Sequence, residues 1–332
     1  MRCLQQKQDT KEIKLDVKDI KILALLSNNA RIPLTQLSKK VALSRDAVDY
    51  RIKNYEKSGL IQGYRTIINV AEFGYNNYHL FIKLNNPSEE IEKRILSRLI
   101  KHDFIRAILK FSGGFDFEIA IIAKDLEELD KRIENITRDC SGFVQDYEIL
   151  TFSKFYASRT LPKSFSNIIE DLEIKKKQYK IDKKDIEILK LISENALLPL
   201  YEIGNKIKLS ADAISYRIKK MRESKIINKF IPVVDYSLLG YNVFVVLFDI
   251  NSLNEERGKK LGEFFIHDNN TIWAVKTIGK FNVLVYFLVK NIDDLQKSIS
   301  KLRSMFPGEV RNHNVLIAYE EYKFTYFPPG LF

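Results

Sequence analysis

LSRDAVDYRIKNYEKSGLI at Leu43–Ile61 and LSADAISYRIKKMRESKII at Leu209–Ile227 are two versions of one stretch, and they decide the fold. In both, a Ser follows a Leu, and apolar residues then fall at i, i+4 and i+7. They are Val48, Ile52 and Tyr55 in one, and Ile214, Ile218 and Met221 in the other. That spacing puts a narrow apolar stripe along one side of a helix. Ser44 and Ser210 are suited to accept the first free backbone N–H groups as N-caps, with Asp46 and Asp212 well placed in the first turn. The outward face carries Arg45, Asp49, Tyr50 and Lys53 in the first version. In the second it carries Ala211, Ser215, Tyr216 and Lys219, with Lys220 beside them. A short capped helix with a cationic, hydrogen-bonding face is suited to a DNA major groove. Ordinary solvated surface helices share these features, so the repeat and its flanks decide between the two.

The two versions belong to a duplication. Asp16 matches Asp182, Tyr50 matches Tyr216, Gly113 matches Gly279 and Tyr156 matches Tyr322, each pair 166 residues apart (182 − 16, and so on). The copies align without a gap from about Asp16 to Tyr156, and over the first forty-odd positions roughly half the residues are identical. A period this long marks a duplicated domain pair, since solenoid repeats run to roughly 20–50 residues.

Each copy starts with a capped helix, with Asp16 or Asp182 as N-cap and Leu15 set to pack on Ile20 as a staple. A second helix follows near Pro33–Val41 and Pro199–Ile207, then a three-residue turn and the opening stretch. Short helix, tight turn and second helix make a helix-turn-helix. The β-prone segments LIQGYRTIINV and IINKFIPVVDY then supply a wing. Lys225 stands where the first copy has Gly59, which predicts a different turn before the second wing.

The remainder of each copy reads strand, helix, strand, strand, helix, strand. In copy 1 the strands are expected near 78–84, 104–111, 115–123 and 143–152, and the helices near 88–102 and 125–139. In copy 2 the strands fall near 243–250, 272–278, 283–290 and 310–318. FDFEIAII alternates, with Phe115, Phe117, Ile119 and Ile121 on one face, and Ser112-Gly113-Gly114 makes a hairpin loop. The fold class is α+β: two copies of a winged helix-turn-helix followed by a ferredoxin-like βαββαβ domain. The expected boundaries are 12–68 and 75–158, a linker at 159–180, then 181–234 and 241–326. Within the linker, SFSNIIEDLEIKKKQYK is compatible with a helix, and Lys175-Lys176-Lys177 reads as a solvated face. YFPPGLF at the end receives no assignment.

The chain has 332 residues, 45% apolar and 29% charged, an ordinary globular mixture with room for several cores. Its net charge of +11 suits a polyanionic partner, with nucleic acid ahead of a membrane surface, although a Lys-rich background gives the same number. Cys3 and Cys140 lack paired spacing, so neither a disulfide framework nor a zinc site is indicated. MRCLQQKQDTKEIK lacks the apolar core of a signal peptide, and no apolar run reaches the roughly 20 residues of a membrane span. A cytoplasmic protein is expected. His79, His102, His267 and His313 are scattered without metal-ligand spacing, and no nucleophile–base pair or phosphate loop stands out. No catalytic residue, cofactor or metal is expected.

A winged helix-turn-helix before a ferredoxin-like domain, with LSRDAVDYRIKNYEKSGLIQGY at the junction and GGFDFEI after Lys110-Phe111, resembles the Lrp/AsnC family of transcriptional regulators. The resemblance covers nearly the whole chain twice, where the usual member carries one copy. It implies DNA binding through the opening helix, dimerisation through the ferredoxin-like sheets, and regulation by an amino-acid-like effector near the hairpin. Matched residue by residue, Ser44, Arg45, Tyr50, Arg51 and Lys53 correspond to the family's DNA-facing helix, as do Ser210, Tyr216, Arg217 and Lys219 in copy 2; Asp49, Ser215 and Lys220 join the expected DNA-binding set from their place on the same helices. The effector loop maps to Gly113, Gly114 and Asp116, and to Gly279 and Asn282. Ala211 in place of Arg45 and Asn282 in place of Asp116 depart from the pattern.

Several roles stay open at this point. Arg51 and Arg217 suit a phosphate contact or an internal ion pair. Tyr50 and Tyr216 suit DNA contact or partial packing. Gly113 and Gly279 suit a hairpin turn or ligand contact. As a regulator, the duplicated chain would form an intramolecular pseudo-dimer or a homo-oligomer, with two unequal helices roughly 34 Å apart on double-stranded DNA. A sirohaem decarboxylase-like enzyme resembles the same scaffold, and a sensor with reduced DNA binding is the third alternative.

Overall fold

The computed structural model describes residues 2–5, 12–165, 179–251 and 253–331. Copy 1 runs β1 (Arg2–Cys3), α1 (Val17–Asn28), α2 (Leu34–Val41), α3 (Arg45–Lys57), β2 (Ile61–Ile68), β3 (Asn76–Leu84), α4 (Glu89–Leu99), β4 (Ile105–Ser112), β5 (Phe117–Ala123), α5 (Leu126–Asp139) and β6 (Val144–Ser158). Copy 2 runs α6 (Lys183–Glu194), α7 (Leu200–Ile207), α8 (Ala211–Glu223), β7 (Ile227–Val234), β8 (Asn242–Ile250), α9 (Glu255–His267), β9 (Thr271–Ile278), β10 (Val283–Val289), α10 (Ile292–Met305) and β11 (Val310–Phe324). The helix-compatible linker stretch and its Lys175-Lys176-Lys177 fall within 166–178, outside the described residues. A 3-10 turn at Pro329–Leu331 occupies the tail that the sequence left unassigned.

Two compact units form, and each draws on both copies. One gathers the described residues within 1–13, 75–170 and 236–324; the other gathers those within 14–74, 171–235 and 325–332.

The second of these units holds the six helices of the two helix-turn-helix segments. Asp16 caps α1 with a reciprocal box: its side chain accepts from Asp19 N while the Asp19 carboxylate accepts from Asp16 N. Asp182 and Asp185 repeat the box at α6. The turn after α2 passes through Ala42 at φ 55°, and its counterpart Lys208 sits at φ 58°. Gly59 lies at φ 78° and Lys225 at φ 63°, so the turn before the second wing keeps the first one's shape. Lys225 adopts a left-handed conformation that glycine takes with less strain. Each wing contributes one strand, and β2 pairs antiparallel with β7 of the other copy.

In the first unit, copy 1 has the strand order β4-β5-β3-β6 and copy 2 has β9-β10-β8-β11, the ferredoxin-like arrangement twice. β6 then pairs with β9, and β11 pairs with β4, so eight antiparallel strands close into a barrel. The two joints are equivalent: Thr151↔Ile278 shifted by 166 becomes Ile317↔Ser112. β6 and β11 run on to Ser158 and Phe324, six residues beyond the expected ends. The added residues take their backbone partners from the other copy, which no local pattern announces.

All seven residues of β5 are buried, so the alternation in FDFEIAII does not separate an inside from a solvent face. One face meets helix, the other the barrel interior. In copy 2, Phe248, Phe265, Phe287 and Phe306 pack together at 0–1% exposure beneath α9 and α10. Each such side chain contributes about 1.5–3 kcal/mol relative to exposure.

Candidate nucleic-acid interface

The helices α3 and α8 are capped as their sequences predict. Ser44 Oγ accepts from Ala47 N at 3.1 Å, and Ser210 Oγ accepts from Ala213 N at 3.2 Å. Val48 and Tyr55, and Ile214, Ile218 and Met221, are buried; Ile52 is half-buried. On the outward side Tyr50 is 67% and Tyr216 60% exposed, so neither ring is packed away in its unit. Ser44, Arg45, Lys53, Ser210, Ser215 and Lys219 are exposed as well, while Asp49 and Lys220 are partly covered.

The two faces differ in free charge. Asp49 holds Lys53 at 2.6 Å across one helical turn, an exposed pair of small energetic weight. Lys220 lies over the Tyr216 ring at 5.4 Å and 3.7 Å from Glu223. Arg45 and Lys219 have no ion-pair partner among the described residues and are the cations most available to a polyanion.

Arg51 and Arg217 take the ion-pair alternative. Arg51 Nη1 donates to Asp19 at 2.5 Å and to Asp16 at 2.8 Å, and Arg217 Nη1 donates to Asp182 and Asp185 at 2.8 Å each. These bonds tie the middle of each candidate recognition helix to the N-terminus of the first helix. They fix the angle at which α3 and α8 are presented. The carboxylates raise both guanidinium pKa values.

A tyrosine completes each anchor by a different route. Tyr55 of α3 donates to Asp19 Oδ1 at 2.6 Å. Its counterpart in α8 is Met221, and the hydroxyl comes instead from Tyr179, which donates to Asp185 at 3.0 Å from the chain just before α6. Lys18 and Lys184 add a further brace, donating to the last carbonyls of α2 and α7, Val41 O at 2.6 Å and Ile207 O at 2.8 Å. Asp19, Asp185, Tyr179 and the two lysines were not singled out from sequence. The repeated Asp-x-x-Asp at 16–19 and 182–185 is the signal that marks the carboxylates.

The anchor is acid-sensitive. A hydrogen bond from the Asp19 backbone, then the Arg51 guanidinium, lower the Asp16 pKa from the ordinary 3.8. At Asp182 burial works the other way, and the Asp185 backbone with Arg217 outweighs it. A carboxylate with a lowered folded pKa stabilises above its unfolded pKa, and that contribution disappears as pH falls through the folded value. Helical circular dichroism should therefore melt earlier once pH drops below 3.8. The Asp16→Asn/Asp182→Asn chain should show a flatter acid dependence; an unchanged slope would count against the anchor as its origin.

The hairpin residues assigned to an effector are engaged in closing the barrel. Gly113 and Gly279 sit at φ 133° and 148°, and a Cβ on either would lie 2.9 Å from Val315 O or 2.7 Å from Ile149 O. On Gly114 a Cβ would meet the Asn314 amide. Asp116 accepts from Leu84 N at 2.7 Å and pairs with Lys83, while Asn282 bonds both Ile250 N and Ile250 O. Each side chain clamps the end of the first strand of its own copy. Among the described residues no group of three or more His, Cys, Asp or Glu side chains is arranged to hold a metal.

Comparisons with known proteins agree with the geometry. Residues 15–62 match the family described as winged helix-turn-helix DNA-binding, and residues 181–222 match the AsnC-type helix-turn-helix domain. An uncharacterized HTH-type transcriptional regulator of Pyrococcus furiosus is 32% identical over 126 residues, 38% of this chain and 81% of the relative. The HTH-type transcriptional regulator LrpA of Pyrococcus horikoshii is 30% identical over 137 residues, 39% of this chain and 96% of its own length. The proline dehydrogenase transcriptional activator of Rhodobacter capsulatus is 30% identical over 118 residues, 35% of this chain and 77% of the relative. Each of these alignments covers less than half of this chain. Among solved structures, the siroheme decarboxylase NirDL with an iron-uroporphyrin III analogue superposes over 92% of both chains with a TM-score of 0.63. At 12% identity that likeness is one of fold.

Proposed function

The chain belongs to the Lrp/AsnC family of DNA-binding transcriptional regulators, and from that premise we propose that one chain acts as an intramolecular pseudo-dimer reading two unequal half-sites. The single observation that carries this is the pairing of β2 with β7, which brings the two helix-turn-helix segments into one compact unit. α3 offers Arg45, Asp49, Tyr50 and Lys53, whereas α8 offers Ser215, Tyr216 and Lys219 behind Ala211. Ser44 and Ser210 cap the helices, and Lys220 adds charge at the edge of the second. Arg51 and Arg217 act as positioning residues through their ion pairs.

An asymmetric operator follows, because the helices differ where bases are read. Gel-shift titration against genomic fragments tests it, and no preference over bulk DNA at moderate salt would sink it. Arg45→Ala should weaken binding by about 1–3 kcal/mol and relax base preference in one half-site only. Equal relaxation in both halves would refute the assignment of one helix to each. Binding should fall steeply with salt, as neutralised phosphates release counterions.

Modulation by an amino-acid-like effector at 113–116 and 279–282 rests on family resemblance, since Gly113, Gly114, Asp116, Gly279 and Asn282 already have work in the barrel. Calorimetric titration with the twenty amino acids tests it, and no heat from any of them removes it. The decarboxylase-like alternative draws on the whole-chain fold likeness alone. An absorbance scan after mixing with sirohaem discriminates it, and an unchanged spectrum disposes of it.

A further inference from the structure

The backbone contacts between the copies obey the duplication, but the side-chain contacts do not. Ala30 N donates to Phe230 O at 2.8 Å, and its counterpart Ala196 N donates to Tyr64 O at 3.2 Å. Asn69 N to Ile226 O and Asp235 N to Leu60 O are a second matched pair, at 2.9 Å each. Against that symmetry, three side chains of copy 1 donate to the last turn of α6 and the loop after it, and their counterparts cannot return the contact. Thr66 Oγ1 donates to Ile192 O at 2.6 Å, Arg31 donates to Ala196 O and Leu198 O at 2.5 and 2.8 Å, and Arg65 donates to Glu194 O. The corresponding residues of copy 2 are Leu197, Ile231 and Pro232, none of which has a side-chain donor.

The barrel interior is one-sided in the same way. Glu118 of β5 is fully buried, meets His79 Nδ1 from β3, and accepts from Tyr286 of β10 in copy 2. His79 also stacks on Phe152 and Trp273. The counterpart of Glu118 with Tyr286 is Leu284 with Ala120.

We propose that copy 1 and copy 2 are a mutually specific pair, each built to accept the other half of the chain and to reject a like half of a second chain. The proposal rests on the pseudo-dimer reading and adds its pairing rule. Arg65 lies directly opposite Ile231 in the β2–β7 ladder, at the centre of the local two-fold, because the two are counterparts. Two copies of the first half would set Arg65 against Arg65, and like charges directly opposed destabilise a strand pair. Their Glu118 carboxylates would face Ala120 and lose the tyrosine hydroxyl. Two copies of the second half would leave the carbonyls of Ile192, Glu194, Ala196 and Leu198 without those donors, and Tyr286 without its acceptor. Removing one partner of a buried hydrogen bond costs more than the bond contributes, so the loss of Thr66 opposite Ile192 O discriminates most, and the part-buried bonds of Arg31 and Tyr286 add less.

Cysteine trapping in the full chain tests the rule, because opposed strand residues lie within disulfide reach. Arg65→Cys/Ile231→Cys should close an intrachain 65–231 disulfide, located by peptide mapping on folded protein. Ile231→Cys alone should give an interchain 231–231 product at no more than about one-tenth of that yield, the factor that one unsatisfied buried group supplies. Adding Arg31→Ala and Thr66→Val to Ile231→Cys should raise the interchain product severalfold. No 65–231 bond at all would remove the pseudo-dimer reading itself. A 65–231 bond accompanied by abundant 231–231 product would leave that reading standing and overturn the pairing rule. So would failure of the added substitutions to raise the interchain product.

Discussion

Asp185→Ala should destabilise the helix-turn-helix unit by about 3 kcal/mol, in the range for breaking a buried ion pair from one side. The Asp185 carboxylate is fully buried and accepts from Arg217 Nη1, from Tyr179 Oη and from Asp182 N. Alanine takes the acceptor from all three donors at once, leaving the Tyr179 hydroxyl unpaired and the Arg217 guanidinium with Asp182 alone. It also opens the capping box of α6 and frees α8 from the helix that sets its angle. Specific DNA binding should fall with stability, because a recognition helix that rocks loses register with base edges. Trp273 is the chain's one tryptophan and lies in the barrel, so its fluorescence follows the other unit. Helical circular dichroism should melt early in Asp185→Ala while the Trp273 transition stays in place. Coincident shifts in both signals would refute a role confined to the helix-turn-helix unit. Asp19→Ala, which removes the acceptor for Arg51 and Tyr55, should behave alike.

Gly279→Ala should act on the opposite unit with similar force. The backbone at φ 148° already disfavours a side chain, and a Cβ would come 2.7 Å from Ile149 O and 2.7 Å from Leu150 Cδ2. The first of those atoms is strand backbone in the β6–β9 joint, so relief requires moving the seam between the copies. A loss of about 2–4 kcal/mol is expected, from the glycine conformation and the clash together. For a unit of this size that is a drop of roughly 4–16 °C in the melting temperature. The Trp273 signal should register it together with the helical signal of α4, α5, α9 and α10, while the helical transition of the helix-turn-helix unit stays in place. Gly74→Ala is the informative control, since it also has positive φ, 78°, but a Cβ there meets nothing within 4 Å. Equal losses at both glycines would mean that backbone conformation, and not the seam, sets the cost.

The helix-turn-helix was legible because its determinants are local. Ser44 and Ser210, the capping aspartates and the i, i+4, i+7 apolar residues act within a turn or two of themselves. The ferredoxin-like strand order was legible for the same reason, from the alternation of strand and helix. Closure of the barrel was not, because Thr151 meets Ile278 through backbone atoms that carry no residue signature. Arg51 offered two roles, and choosing between them required the carboxylate positions of α1. Tyr179 was invisible as a substitute for Tyr55, since a hydroxyl delivered from a different segment breaks the repeat. The bond from Leu84 N to Asp116 was not legible either, because the two residues lie 32 positions apart.

The closed barrel also imposes an order of events on synthesis. Ser112 emerges from the ribosome far ahead of its ladder partner Ile317, 205 residues later (317 − 112). At roughly 5–20 residues per second, the edge of β4 waits some 10–40 s for that partner. Through that interval the nascent first half displays open strand edges, the surfaces on which chains aggregate. Ladders this distant in sequence also make for slow folding. Fusing the copies guarantees one partner per chain, but it makes the first half depend on residues translated long after it.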